Sequence, residues 1–246
     1  MNWTWFHKLG SPPYVYRLAA GMAPWLYALA FICIGYGVLA GLFWAPPDYQ
    51  QGDAFRIIYV HAPSAWMSLS AYTTMALAGA VALVWRIKIG HAVAAACAPI
   101  GASFTVAALV TGSLWGRPMW GTYWAWDPRL TSELILLFLY FGVLSLRQAF
   151  DDPARGDRAA AVLAIVGVVN VPIIHYSVQW WNSLHQGATV AKFAKPSMPP
   201  SMLLPLLSVL LGFMLFFGAV LCIRLMAEVL NRERQSNWIK EVVSTS

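Results

Sequence analysis

The chain has 246 residues, of which 59% are hydrophobic and 11% are charged, with a mean hydropathy of +0.60 and a formal net charge of +6. A soluble domain carries about 25% charged residues, and a soluble fold of this length cannot bury so much apolar surface. The composition therefore excludes a soluble enzyme and a disordered or fibrous protein. In a membrane protein, an excess of positive charge first indicates how the chain is oriented across the bilayer. We therefore expect no nucleic-acid partner.

Six apolar runs are long enough to cross a bilayer core, which requires about 20 residues per helix. Their predicted limits are 23–44, 62–85, 92–114, 128–149, 159–178 and 201–223. The first run begins too late and is too long for a cleaved signal peptide, and Pro153 stops the fourth. The sequence thus predicts an all-α, polytopic integral membrane protein, a six-transmembrane-helix bundle that forms a single membrane domain over residues 1–246.

The distribution of lysine and arginine predicts which side of the membrane each loop faces. One set of segments contains eleven of these residues, namely Lys8, Arg17, Arg86, Lys88, Arg147, Arg155, Arg158, Arg224, Arg232, Arg234 and Lys240. The alternate set contains five, namely Arg56, Arg117, Arg129, Lys192 and Lys195. By the positive-inside rule, both termini and the loops near 86–91 and 150–158 are predicted to be cytoplasmic. Three loops, 45–61, 115–127 and 179–200, are predicted to face outward.

The outward loop 115–127 is unusually aromatic. It interleaves four tryptophans and a tyrosine with glycine and proline, namely Trp115, Trp120, Tyr123, Trp124 and Trp126. Each ring alone is typical of the aromatic belt at a membrane interface, but a belt requires scattered rings and not a contiguous patch in one loop. Trp120 and Trp124 are four residues apart, so a helical turn would put both rings on one face. Such a face suits a large, flat, conjugated ligand.

Asp127 ends this loop, directly before Pro128 and a long apolar helix. Its position is that of an N-cap followed by proline at the first helical position, and this structural role alone accounts for it. A role in the ligand site is the alternative. The two roles are compatible, because a cap here would also fix the loop where it re-enters the membrane. Glu133 lies less than two turns further on, and an ion pair with one of the outward arginines is its expected structural explanation.

Two histidines lie on the same side as the aromatic loop. His61 is at the outer end of the second span, and His185 is in the last outward loop. Either one alone is typical of a hydrogen-bonded surface histidine, but an aromatic platform with two imidazoles is what a six-coordinate haem requires. A zinc or copper site is less well supported, since no cysteine and no third ligand joins them. His175, in the fifth span, is interpreted either as a buried, partnered residue or as a substitute ligand.

A haem also brings two propionates, which guanidinium groups bind in a bidentate manner. Three outward arginines are candidates, and the sequence does not choose among Arg56, Arg117 and Arg129. The chain contains no P-loop and no CxxCH motif, so we expect neither ATP hydrolysis nor covalent attachment of haem to its own cysteines. No self-contained active site is predicted, and whether the protein is an enzyme stays open.

The loop 115–127 and the residues after it, 128–134, resemble the WWD signature of membrane proteins that handle haem. Six spans with this loop between the third and fourth resemble the CcmC family, the haem exporter and haem-delivery subunit of the bacterial cytochrome c maturation system I. Two further segments, 59–66 and 180–187, are similar to the two histidine segments of that family. The resemblance extends over nearly the whole chain. The larger WWD relatives, the CcmF-type and CcsA-type synthetases, have more spans or large extra segments.

The resemblance implies that His61 and His185 are the axial ligands of a haem b iron, and that the Trp-rich loop with Asp127 presents the haem edge. Binding would be non-covalent and transient. The implied partners are the ABC-type subunits CcmA and CcmB, the small CcmD, and the periplasmic chaperone CcmE, on which a histidine becomes joined to a haem vinyl. ATP hydrolysis would belong to CcmA. The implied location is the bacterial inner membrane, with the haem site on the periplasmic side.

Two other classes of protein stay open from the residues alone. A membrane b-type cytochrome passes electrons to quinone, but it places histidine pairs inside facing helices, whereas both candidates here lie at or outside the rim. A permease or structural subunit would use its tryptophans only as a belt. In that case His61→Ala and His185→Ala would leave the absorbance spectrum of the purified protein unchanged.

Overall fold

The protein is a bundle of long helices. The structure, a computed structural model, describes residues 8–185 and 197–244. The helices are α1 (Pro12–Leu39), α2 (Ile58–Trp85), α3 (Lys88–Trp120), α4 (Pro128–Gln148), α5 (Pro153–Gly167), α6 (Asn170–Trp180), α7 (Pro200–Arg232) and α8 (Asn237–Ser244). A π-helical turn (Ala40–Trp44) extends α1, and a 3-10 turn (Asp53–Ile57) leads into α2.

Six helical segments are long and apolar enough to cross a membrane, with mean hydropathies between 1.5 and 2.7. Their limits are Pro12–Trp44, Asp53–Trp85, Lys88–Trp120, Pro128–Gln148, Pro153–Trp180 and Pro200–Arg232. Large apolar side chains point away from the bundle, such as Phe31 on α1 and Phe138 on α4, and a surface of this kind requires lipid. The predicted all-α fold with six spans is confirmed. The side on which the termini lie stays a prediction.

The third span continues past its predicted end at residue 114. α3 runs through Trp120, and Pro118 lies in its last turn, so only residues 121–127 form the connection to α4. Gly121 ends the helix with φ of 77°, and its N–H donates to the carbonyl oxygen of Arg117 at 3.1 Å, as is typical of a glycine after a helix. Hydropathy marks the apolar part of a helix, whereas its hydrogen bonds continue into polar residues.

The fifth span is interrupted inside its predicted range of 159–178. α5 ends at Gly167 and α6 begins at Asn170. Pro172 lacks an N–H and cannot donate to the carbonyl oxygen of Val168, which explains the break. The side-chain amide of Asn170 donates instead to the carbonyl oxygen of Ser132 at 2.9 Å and thereby holds the break against α4.

The main buried core lies among α2, α3, α4, α5 and α6. Most of the buried side chains that α3 contributes are alanines, which allow the neighbouring helices to approach closely. The hydroxyl of Tyr140 donates to the carbonyl oxygen of Ser68 at 2.7 Å, and its ring lies where a Cβ on Gly101 would overlap it. The three cysteines are free, and Cys97 is fully buried in this core.

A network of ion pairs joins α4, α5 and α7 at one end of the bundle, which we call the tail end because α7 leads there into α8. Asp157 is 7% exposed and accepts from Arg147 at 3.1 Å and from Arg232 at 2.6 Å and 3.1 Å. Glu228 accepts from the same two arginines, at 3.3 Å and 3.2 Å. The sequence predicts the cytoplasmic side for this end.

We expect Asp157→Ala to destabilise the protein by about 3–5 kcal/mol, because the change leaves two partly buried guanidinium groups without their shared carboxylate. Thermal unfolding in detergent measures the effect. Asp151→Ala is the matched control, since Asp151 is exposed and makes no ion pair with any residue in the described part of the chain. Equal thermal midpoints for the two variants would contradict a structural role for the network.

Candidate functional site

A cavity of about 340 Å³ lies at the end of the bundle opposite the tail end. This volume falls within the range of about 300–1,000 Å³ that is typical of small-molecule sites. Its walls come from α2, α3, the first turn of α4, the last turns of α6, the first turns of α7 and the segment that contains His185. The polar and aromatic side chains on these walls are Gln51, His61, Trp66, Trp115, Trp120, Arg129, His175, Gln179 and His185.

His61 is held by hydrogen bonds that fix its tautomer. Its Nδ1 lies 3.1 Å from the carbonyl oxygen of Ala108 and 3.1 Å from Oγ1 of Thr111. The Thr111 hydroxyl donates to Ala107 at 2.6 Å, so its oxygen accepts. Both partners therefore require a proton on Nδ1, and the neutral ring keeps its lone pair on Nε2. An imidazole oriented in this way is ready to act as a metal ligand through Nε2.

Gly112 makes room for this imidazole. A Cβ at that position would lie 2.9 Å from Cε1 of His61 and 3.4 Å from its Nδ1. The ring also meets Trp115 edge-on, with 5.6 Å between the ring centres. A helix without a side chain at this point thus allows α2 to place its histidine directly against α3.

His185 is oriented from its Nδ1 side as well. That nitrogen lies 3.3 Å from Oδ1 of Asp127, and it has no partner in hydrogen-bond geometry among the described residues. Trp120 packs edge-on against the ring, 4.9 Å away between centres. Burial, together with the positive charge of Arg129, lowers the pKa of His185 from 6.5 to about 4, and Asp127 offsets only part of this effect. His185 is therefore neutral near pH 7.

Asp127 connects α4 to the segment that carries His185. As the predicted N-cap of α4, it accepts from the backbone N–H groups of Arg129 at 2.9 Å and Leu130 at 3.4 Å. Its other oxygen accepts from the N–H of Leu184 at 2.8 Å. Burial alone would raise the pKa of Asp127, but hydrogen bonds from Ser183, Leu184 and Arg129 hold it below its ordinary value. The group is a carboxylate, and its predicted role as the N-cap of α4 is confirmed.

The tryptophans of the predicted loop divide into two groups. Trp115 and Trp120 lie on α3 and line the cavity, and the indole N–H of Trp115 donates to the side-chain oxygen of Gln51 at 2.9 Å. Trp124 and Trp126 follow the end of α3 and pack edge-on against each other outside the cavity. The expectation that Trp120 and Trp124 share a helical face is wrong, because α3 ends at Trp120. Tyr123, also outside, stacks against the guanidinium of Arg117 at 5.7 Å.

Only one of the three candidate arginines lines the cavity. Arg129 does so, and it makes no ion pair within the described residues, although the charges of Asp127 and Glu133 act on it. Arg56 donates to the carbonyl oxygens of Gly41 at 2.7 Å and Ala45 at 3.1 Å, and it pairs with Asp53 at 2.9 Å. Its role is thus to join the turn before α2 to the end of α1.

Arg117 is the third candidate. Besides stacking on Tyr123, it donates to the carbonyl oxygen of Gly121 in its own connection. It does not line the cavity. Its contacts are those of a residue that shapes the exposed connection after α3.

Glu133 is not explained by an ion pair. It is buried between α2 and α4, and its Oε1 accepts from the hydroxyl of Ser68 at 2.6 Å. The tie to an outward arginine that the sequence offered is not a close ion pair: among the described residues no arginine nitrogen lies within 4.0 Å of the carboxylate, although the charge of Arg129 acts on it. A hydrogen bond within the membrane core satisfies the carboxyl group instead.

The structure adds residues that the sequence did not single out for the site. Gln51, Trp66 and Met119 lie on the cavity walls. His175, for which the sequence left a partnered or a ligand role open, also lines the cavity from α6, where its ring meets Tyr176 edge-on at 4.7 Å. Glutamine in a turn carries no local signal of a site, whereas Met119 lies within the predicted aromatic loop 115–127 and Trp66 belongs to the same segment as His61. Of the predicted outward loop 179–200, residues 186–196, including Lys192 and Lys195, lie outside the described residues.

The fold and the site together define a class of protein: a polytopic helical membrane protein whose histidine- and tryptophan-lined cavity lies at one end of six spans. Comparison with known sequences refines this class. A family model described as "CcmC: Heme exporter protein C" matches residues 5–240. The chain belongs to the CcmC family.

Individual relatives agree with the family assignment. A heme exporter protein C from Haemophilus influenzae is 48% identical over 243 residues, which is 99% of both chains. One from Escherichia coli K12 is 47% identical over 241 residues, or 98% of this chain and 97% of the relative. A ccmC-like mitochondrial protein of Marchantia polymorpha, named for cytochrome c biosynthesis, is 39% identical over 211 residues, or 79% of this chain and 90% of the relative.

Proposed function

We propose that this protein binds haem in the cavity and passes it on during the maturation of c-type cytochromes. His61 and His185 would be the axial ligands of the iron, and the haem would be haem b, held non-covalently and transiently as cargo. The relatives named heme exporter protein C support the haem-related role, and the Marchantia relative supports the link to cytochrome c.

The observation that carries the proposal is the matched orientation of two imidazoles on one cavity. Nδ1 of His61 faces the carbonyl oxygen of Ala108, and Nδ1 of His185 faces the carboxylate of Asp127. In both rings Nε2 is the nitrogen left for a metal, as in histidine ligands that are held by a carbonyl or a carboxylate. Both line the same cavity from different segments of the chain.

The rest of the cavity fits haem better than a bare metal ion. The described residues contain no group of three or more His, Cys, Asp or Glu side chains that could hold a metal alone, so two imidazoles need a metal that brings its other ligands with it. A porphyrin does so. Trp115 and Trp120 offer apolar ring faces and edges to a conjugated ligand, and Arg129 is the unpaired guanidinium available to a propionate.

Delivery requires a partner, because the cavity contains no arrangement of groups that would perform chemistry by itself. We propose that CcmE receives the haem at the periplasmic side of the inner membrane, and that CcmA, CcmB and CcmD form the complex in which ATP hydrolysis by CcmA drives its release. Exposed aromatic rings lie outside the cavity at the same end, among them Tyr123, Trp126 and Trp180. These rings would contact a chaperone that approaches the haem edge.

The experiment that tests the proposal is a haem titration of the purified full-length protein in detergent. We expect saturable binding with an absorbance spectrum of six-coordinate, bis-imidazole haem. If no haem co-purifies from cells that make it, and none binds on titration, the proposal fails. Reduction of the bound haem by a quinol with catalytic turnover would favour the b-type cytochrome instead.

We expect Gly112→Ala to weaken haem binding about tenfold, a magnitude typical of changes to the groups that orient a metal ligand. The new Cβ would force the ring of His61 away from Ala108 and Thr111. Gly35→Ala is the matched control, because nothing lies within 4 Å of a Cβ at that helical position. A haem titration compares the two variants. If both bind haem as tightly as the wild type, the orientation of His61 does not matter for binding.

A further inference from the structure

A second and larger cavity lies at the tail end of the bundle. Its volume is about 950 Å³, and it is bounded by the end of α2, the starts of α3 and α5, and the end of α7. It is far along the helices from the haem cavity and shares no lining residue with it. None of the residues assigned to the proposed haem site lies on its walls.

The cavity is rich in cations, and most of them have no partner among the residues that the structure describes. Five basic side chains line it, namely Arg86, Lys88, Arg158, Arg232 and Arg234. Arg232 is engaged by Asp157 and Glu228. The other four make no ion pair or hydrogen bond with the part of the chain that the structure describes, so their charge is available to a ligand.

The carboxylates on the same walls are already occupied. Asp157 is shared by two arginines, as described for the ion-pair network. Glu233 accepts from the hydroxyl of Ser236 at 2.7 Å. Neither can neutralise the four free cations, and the lining therefore attracts an anion.

Two features of the backbone add to this attraction. α3 begins at the cavity without a side-chain cap and without an acidic residue in its first turn, so its first N–H groups and its dipole favour a negative charge. Arg86 adopts a left-handed conformation with φ of 55°, where glycine would be the usual residue. This residue ends α2 and turns the chain towards the start of α3 at the cavity.

The remaining walls are apolar. Pro12, Leu83 and Ile89 line the cavity beside the cations. Arginine and lysine beside apolar helix surfaces at the end of a membrane bundle are typical of sites for the headgroups of anionic lipids. A free phosphate compound would use the cations but not these walls.

We propose that the tail-end cavity binds the phosphate group of an anionic phospholipid. Arginine side chains and the start of α3 hold this phosphate. Arg86, at the end of α2, and Arg158, near the start of α5, are the side chains that bind the phosphate. The apolar residues accommodate the upper part of the acyl chains. The site is separate from haem binding and stands or falls independently of it.

Native mass spectrometry of the purified full-length protein in detergent tests the proposal. The probes are dioleoyl phosphatidylglycerol, dioleoyl phosphatidylcholine with the same acyl chains, and soluble pyrophosphate. We expect phosphatidylglycerol to be retained in preference to phosphatidylcholine. The double variant Arg86→Gln with Arg158→Gln should bind phosphatidylglycerol at least about tenfold more weakly, since each charge-assisted bond is worth close to that factor.

The control variant removes the same charge at the same end of the bundle. Arg155→Gln with Arg224→Gln changes two exposed arginines that do not line the cavity, one of them on α5 three residues before Arg158. This variant should keep the preference for phosphatidylglycerol. Thermal unfolding of both double variants should remain close to the wild type, which separates loss of binding from loss of fold.

The outcomes are distinct. Binding of pyrophosphate as tightly as phosphatidylglycerol would keep the phosphate site and assign its ligand to the aqueous phase. Equal retention of the two lipids by the wild type would overturn the proposal, and so would an equal loss in the control variant, because diffuse surface charge would then explain the binding. If neither lipid nor pyrophosphate is retained, the cations serve a protein partner and the proposal is wrong.

Discussion

Replacing His61 or His185 with alanine is expected to lower haem affinity by more than about tenfold, since even the loss of a group behind a metal ligand commonly costs 10-fold to 100-fold. The absorbance spectrum of any remaining haem should change from six-coordinate to five-coordinate. Nδ1 of His61 is held by hydrogen bonds and Nδ1 of His185 faces the carboxylate of Asp127, so Nε2 is the nitrogen that each ring offers to the iron. The double variant should bind no haem at the cavity.

His175 and His91 are the comparison variants. His175 lines the same cavity, but its ring contacts Tyr176 and the structure gives it no carbonyl or carboxylate partner among the described residues. We therefore expect His175→Ala to keep the six-coordinate spectrum. His91 lies at the tail end, and His91→Ala should leave haem binding unchanged. A five-coordinate spectrum in His175→Ala would assign an axial position to that residue.

A change in the fold is the main competing explanation for a loss of haem. His61→Ala removes two hydrogen bonds between α2 and α3, so some loss of thermal stability is expected in that variant. Addition of imidazole distinguishes the two effects. Exogenous imidazole should restore the six-coordinate spectrum of a folded cavity variant and should not rescue an unfolded one. Unchanged spectra in both alanine variants would support a permease or structural subunit.

The membrane spans could be predicted from the sequence because a helix that crosses lipid needs a run of about 20 apolar residues. Apolar runs of sufficient length identify all six of them, and each predicted range overlaps one helical segment. Their ends were less predictable, since hydrogen bonding carries α3 through the glycine and proline of its last turns to Trp120. This extension moves Trp115 and Trp120 from a loop onto a helix and separates them from Trp124.

The two histidines could be predicted because topology alone brings both to one end of the bundle. Their orientation could not, since it depends on contacts between distant parts of the chain. Ala108 is 47 residues from His61, and Leu184 is 57 residues from Asp127. No local pattern specifies which carbonyl or carboxylate faces an imidazole, and Gly112 acquires its importance only from the helix that packs against it.

The choice among the three candidate arginines also depends on contacts that the sequence does not specify. Arg56, Arg117 and Arg129 are equivalent as outward cations in the sequence. The structure distinguishes them by their other contacts. Arg56 and Arg117 donate to backbone carbonyl oxygens, whereas Arg129 lines the cavity and makes no ion pair in the described segments. Competition for partners within the fold determines which guanidinium is free for a ligand.

Replacing Asp127 with alanine is expected to have the second largest effect, because one carboxylate performs three tasks. Loss of the cap of α4 alone costs about 0.5–2 kcal/mol. Loss of the bond to the N–H of Leu184 releases the segment that carries His185, and the imidazole also loses the charge that faces its Nδ1. We expect a lower thermal midpoint and a reduction of haem affinity of about 10-fold to 100-fold.

Asp127→Asn separates the tasks. Asparagine is as good an N-cap as aspartate, but it has a single acceptor oxygen, so it keeps the cap of α4 and loses the bond from the N–H of Leu184. The thermal midpoint should therefore lie between those of the wild type and Asp127→Ala. Its neutral side chain can no longer act on His185 as a carboxylate, and a histidine ligand that loses a carboxylate partner becomes less basic. We therefore expect Asp127→Asn to keep the fold, to bind haem more weakly than the wild type, and to shift the reduction potential of the bound haem upward.

Asp152 provides the matched control for the capping effect. It caps α5 through the N–H of Ala154 at 2.9 Å, but it lies at the tail end and touches no part of the haem cavity. Asp152→Ala should therefore lower thermal stability by about as much as the loss of the α4 cap does, and it should leave the haem spectrum and affinity unchanged. If Asp127→Asn binds haem with the affinity and potential of the wild type, neither the carboxylate charge nor its bond to the N–H of Leu184 acts on His185, and Asp127 serves only as a cap.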